Sequence, residues 1–205
     1  MLRTLRNKKG FTLVELAIVL VIIGIILGAV LKGQELINSA KMKRVYSQYR
    51  EILAADLTYQ DKYGRMPGDD NDTTLATRWV PPTYYTAGNG NGQINGGTIA
   101  TMFTCGAATA SETCGQWDQM RRGNIITGPL NGTNPTNTFG GAVGIAYVAV
   151  SGLTVNWIGM SNIPTDVAQA LDKQYDDGDA TTGDIRAAAA YVAGSVAPIS
   201  IFFRL

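Results

Sequence analysis

Residues 11–31 read FTLVELAIVLVIIGIILGAVL, a run whose only polar members are Thr12 and Glu15. As a helix rising about 1.5 Å per residue, a run of this length crosses a hydrocarbon layer about 30 Å thick. Lys32 ends it. In front of it, MLRTLRNKKG carries Arg3, Arg6, Lys8 and Lys9 and no acid. A basic flank of this kind is expected to stay cytoplasmic, which sends everything after Leu31 to the exported side. A secretory signal peptide is a poor fit, because its apolar core is shorter, about 7–15 residues, and ends in a small-residue cleavage site. Gly28-Ala29 imitates such a site badly. A plain membrane anchor fits the length but leaves Glu15 to snorkel toward the interface, since a carboxylate within a span is costly.

A third reading accounts for the carboxylate. Lys8-Lys9-Gly10-Phe11-Thr12-Leu13-Val14-Glu15-Leu16, with the apolar run behind it, resembles the class III signal of type IV pilins and type II secretion pseudopilins. The resemblance covers about the first 40 residues. It implies cleavage after Gly10 by a prepilin peptidase and N-methylation of the new N-terminal residue, Phe11. It also implies a role for Glu15 in filament assembly, its carboxylate pairing with the Phe11 ammonium of a neighbouring subunit so that neither charge is buried alone. The implied partners are further copies in a helical homopolymer, other pilins, the peptidase, and the assembly platform and ATPase of a pilus or secretion machine. The implied location is the inner membrane before assembly, as a single-pass protein with its head outside the cytoplasm, and a cell-surface or periplasmic filament afterwards. A pilus-type subunit is the leading expectation; a secretion pseudopilin and an anchored surface binding module that does not polymerise stay open. Removing the leader leaves 13 basic residues against 16 acidic ones, an acidic mature chain.

Beyond Lys32 the helical pattern continues without a proline, and Val45, Tyr49, Ile52 and Leu53 repeat at helical spacing. Tyr63-Gly64 and Pro67-Gly68 stop it. A helix from Phe11 to Lys62 would be about 78 Å long. Many type IV pilins carry a proline in this helix, whereas here Gly24, Gly28 and Gly33 are its only breakers. Gly24-x-x-x-Gly28 permits close helix approach, or is simply tolerated in a membrane helix. The expected organisation is a cleaved leader at 1–10, a membrane or filament-core segment at 11–31, an amphipathic helix at 32–63, and a head at 64–205.

The head begins with Gly-, Asn- and Thr-rich sequence from Pro67 to Thr138, read as loops with short elements. Cys105 and Cys114 lie on the exported side and are expected to form a disulfide, two free thiols being the alternative. AVGIAYVAV at 142–150 and LTVNWIGM at 153–160 predict a hairpin turning at Ser151-Gly152. PTDVAQALDKQY at 164–175 predicts a helix capped by Thr165, with Val167, Ala168 and Leu171 inward, and ISIFF at 199–203 predicts another strand. A long helix against a small antiparallel sheet is an α+β arrangement, and it agrees with a pilin head.

Asp172, Asp176, Asp177, Asp179 and Asp184 place five carboxylates close together in sequence. They are a candidate calcium site, although their spacing is not that of an EF-hand, and an acidic turn capping its own backbone is the competing reading. Asp69-Asp70-Asn71-Asp72 is a weaker second candidate. Asn71-Asp72-Thr73 and Asn131-Gly132-Thr133 match a glycosylation pattern that chance also produces. No other cofactor is expected. The chain has no histidine and only two cysteines, which removes zinc sites and Ser-His or Cys-His nucleophiles and argues against an enzyme. A pI near 7.7 argues against a general nucleic-acid partner.

Overall fold

A computed structural model describes Gly10 and residues 12–72, 78–79, 88–106, 110–192, 194–195 and 197–205. In chain order it contains α1 (Leu13–Tyr63), a 3₁₀ turn (Thr101–Phe103), α2 (Glu112–Arg122), β1 (Val143–Val150), β2 (Leu153–Pro164), α3 (Thr165–Tyr175), β3 (Ile185–Ala187) and β4 (Pro198–Arg204). Two compact units divide it, Met1–Ala40 and Lys41–Leu205.

In the first unit, every large apolar side chain of α1 from Leu13 to Leu31 is exposed around the whole circumference. A helix apolar on all sides needs lipid or other helices to cover it. Its length and composition suffice to cross a membrane. The helix runs unbroken through Gly24, Gly28 and Gly33, and Lys32 binds Glu35 at 2.7 Å just past the apolar run.

The second unit is built on the Lys41–Tyr63 part of α1, which buries Val45, Ile52, Ala55, Asp56 and Tyr59 on one side. Its sheet is antiparallel throughout, in the order β1-β2-β4-β3. The predicted hairpin forms, closing on the pair Val150↔Leu153. Ser151 and Gly152 both hold positive φ (46° and 81°), the conformation whose twist matches a two-residue hairpin turn. The predicted C-terminal strand is β4, paired with β2 through Ile158↔Phe203.

Alternation along these strands makes two apolar faces. Val143, Ile145, Ile158, Met160, Ile201 and Phe203 join α1, Trp117 and Met120 of α2, and Val167, Ala168 and Leu171 of α3 in the main core. The opposite face, with Ala146, Val148, Val150, Trp157 and Phe202, is covered by Met102 and Phe103 of the 3₁₀ turn. Gly144 and Gly159 make that cover possible. A Cβ at Gly144 would lie 2.3 Å from the Met102 carbonyl oxygen, and one at Gly159 would lie 2.8 Å from the Phe103 ring.

Two expectations need correction. The stretch read as loops contains α2, an eleven-residue helix capped by the Ser111 hydroxyl, which accepts from the Cys114 N–H. Thr165 does not cap α3: Pro164 occupies the cap position, and the Thr165 hydroxyl donates to the Ala197 carbonyl at 2.6 Å. The side chain serves a neighbouring loop instead of its own helix. Cys105 and Cys114 are joined in a disulfide, which ties the end of the sheet's cover to the first turn of α2.

Candidate functional site

Glu15 sits in the first turn of α1, where the unpaired N–H groups gather. Thr12 precedes the first helical residue. Its backbone N–H and its hydroxyl both donate to Glu15 Oε2 at 2.8 Å, and the Glu15 N–H donates back to the Thr12 hydroxyl oxygen at 3.2 Å. This reciprocal arrangement is a capping box, in which residues at the cap and at the third helical position satisfy each other's backbone donors. The negative charge also lies at the positive end of the helix dipole. Only Oε2 is used; among the described residues Oε1 accepts no hydrogen bond. Sequence reasoning noticed the carboxylate but missed the box, although Thr-x-x-Glu ahead of an apolar run is its signature.

Gly10 is exposed and lies outside the helix, so α1 begins after the Gly10–Phe11 bond. Phe11 itself and residues 1–9 lie outside the described residues. Residues 5–31 match the family described as the prokaryotic N-terminal methylation motif. The chain carries the class III signal of type IV pilins and pseudopilins. None of the curated proteins or solved structures compared with the chain matches it. The matched stretch includes Arg6, Lys8, Lys9, Gly10, Phe11, Glu15 and the apolar run to Leu31, and α1 holds an apolar segment long enough to cross a membrane. That segment is consistent with membrane anchoring before assembly.

The five aspartates do not act as one group. Asp172, Asp176 and Asp177 each bring a carboxylate oxygen within 4.8 Å of the others, while Asp179 and Asp184 stay outside that group. Asp172 is fully buried; its oxygens accept from the Tyr191 hydroxyl at 2.7 Å and the Gly178 N–H at 3.1 Å. Burial raises its pKa, and the Asp177 and Asp176 charges push the same way, against those two hydrogen bonds. Asp176 accepts from the Ile185 N–H at 2.7 Å. Asp177 accepts from the Thr182 hydroxyl at 2.6 Å and the Asp179 N–H at 2.9 Å, and the first of these chiefly lowers its pKa. Asp179 accepts from Thr181, and Asp184 faces Arg204 at 3.3 Å. The donors of the loop between α3 and β3 therefore face these carboxylates, in the manner of side chains that shape a turn. Oxygen donors suit calcium chemically, but each of the three convergent aspartates already holds a loop or hydroxyl hydrogen.

The second acidic run is likewise answered by protein groups. Asp69 accepts the N–H groups of Asn89, Gly90 and Gly92 at 3.2, 2.7 and 2.6 Å. Buried Asp70 accepts from the Tyr59 hydroxyl at 2.8 Å and lies 3.3 Å from Arg78, which also pairs with Asp72. At Asn131 the side-chain oxygen accepts from the Thr133 N–H and hydroxyl, whereas Thr73 of the other tripeptide lies outside the described residues. Trp117, Trp157 and Tyr59 are buried in the two cores.

Proposed function

We propose that this chain is a structural subunit of a type IV pilus-like filament. A prepilin peptidase cuts it between Gly10 and Phe11, the Phe11 amine is methylated, and the mature chain waits in the inner membrane with its head on the exported side. Assembly gathers the apolar segments of many copies into a helical bundle, which covers the Leu13–Leu31 surface that one chain alone leaves bare. Head-to-tail contacts that do not close produce such a polymer. The assembly platform and ATPase supply the energy, and the subunit performs no catalysis.

The observation that carries this reading is a carboxylate at the start of the otherwise apolar Leu13–Leu31 part of α1, within a methylation motif. The capping box holds that carboxylate by one oxygen and leaves Oε1 to receive the Phe11 ammonium of a neighbouring subunit, a charge-assisted bond in a dry core. A mere anchor would be better served by an apolar residue at this position.

Intact mass and N-terminal sequencing of protein sheared from the cell surface test the reading. A chain starting at Phe11 with one added methyl group is expected, and Glu15→Val should then be processed yet absent from the sheared fraction. Chain that keeps residues 1–10 and stays in the inner membrane would overturn it. A processed chain confined to the periplasm would instead place it among the secretion pseudopilins.

A further inference from the structure

Asp56 lies on the core side of α1 between Ala55 and Tyr59, with 1% of its surface exposed. A buried carboxylate is normally paired with a cation or surrounded by donors. Among the described residues this one has neither. Its Oδ2 accepts a single bond, from the Gln60 amide at 2.5 Å, and its Oδ1 has no hydrogen-bond partner. Other charged groups of the described head are engaged with partners of their own. Asp70 is held by Tyr59 and Arg78, Glu112 by the Asn95 N–H, Asp118 by Arg122, Arg121 by the Asn131 and Thr133 carbonyls, and Lys62 by the Gly123 carbonyl. Among the described residues no ion pair reaches Asp56, and burial opposes its ionisation, relieved a little by one amide.

We propose that Asp56 is a pH-sensitive clamp, which tightens the packing of the Lys41–Tyr63 part of α1 on the sheet when protonated and loosens it when ionised. An exported head follows the pH of its surroundings, so the clamp would answer to the medium and not to the cytoplasm. The proposal stands whether or not the chain polymerises.

Burial pushes the carboxyl up to about 6, against 3.8 for an unperturbed aspartate. Because the folded value is the higher one, the extra stability is fully present below about pH 4 and is lost as pH rises through about 6. Between about pH 5 and about pH 7.5 this linkage changes the opening equilibrium roughly tenfold.

Hydrogen exchange on the full chain in detergent micelles reads the effect directly. After correction for intrinsic rates, amides of residues 45–62 should lose about tenfold protection from pH 5 to pH 7.5 in the native sequence. In Asp56→Asn that loss should vanish. Equal pH profiles in the two proteins would overturn the proposal. If Asp56→Asn fails to fold, the Asp56 carboxyl carbon can be titrated by NMR in the native chain, where a midpoint near 4 would equally overturn it and one near 6 would support it.

Discussion

Replacing Cys105 and Cys114 by serine should destabilise the Lys41–Leu205 unit by an amount set mainly by the unfolded chain. The disulfide closes a short loop, with a sequence separation of 9. Loop-closure entropy for that length corresponds to about 2.6 kcal/mol at room temperature. The folded state gives little reason for a larger loss. Cys105 keeps its N–H on the Asn134 side chain at 2.7 Å, and Cys114 keeps its N–H on the Ser111 cap. Met102, which lies over Trp157 and Phe202, stays anchored because the Asn134 amide donates to its carbonyl at 2.9 Å. With a urea slope of about 1–3 kcal/mol/M, the midpoint of unfolding should fall by roughly 0.9–2.6 M. Circular dichroism and tryptophan fluorescence should give the same midpoint, since Trp157 and Trp117 sit on opposite faces of one sheet. An unchanged midpoint would refute the reasoning, because it would mean that the unfolded loop is already restricted without the bond. Fluorescence moving ahead of circular dichroism would also refute it, by showing that the bond holds the Met102–Phe103 cover locally.

Two further substitutions or additions follow from the same geometry. Gly144→Ala should destabilise the head by about 1–3 kcal/mol in the same urea assay, because its methyl group meets the Met102 carbonyl oxygen; a neutral effect would show that the 3₁₀ cover yields freely. Millimolar calcium should leave thermal unfolding unchanged, since Asp172, Asp176 and Asp177 already hold loop donors; a rise of several degrees reversed by a chelator would make them cation ligands after all.

How much of this was legible in the sequence depends on where the burial energy comes from. The apolar run, the hairpin and β4 announce themselves because apolar side chains fall on the period of the element that buries them, every side of a membrane helix or alternate residues of a strand. The Ser151-Gly152 turn was legible for a related reason: its conformation is one that few dipeptides take easily. Glu15 is legible as an anomaly because a carboxylate is costly in a membrane span, whereas its box with Thr12 is legible only from what an acid three residues after a threonine does for a helix start.

The stretch ETCGQWDQMRR was illegible for the opposite reason to the apolar run. As α2 it is buried at every position except Arg122, yet only Cys114, Gly115, Trp117 and Met120 among its residues are non-polar. Its polar side chains are inside because they carry the backbone of the surrounding loops. Glu112 accepts the Asn95 N–H, and Gln119 accepts the Gly68 N–H. Gln116 donates to the Ile145 carbonyl at the outer edge of β1, and Arg121 donates to the carbonyls of Asn131 and Thr133. Buried loop backbone must find partners, and where a Gly- and Asn-rich head offers little regular ladder, a polar helix supplies them. Hydrophobic periodicity cannot reveal such an element, because its partners are main-chain groups far away in sequence. The loop-rich composition that hid α2 is therefore the condition that requires it.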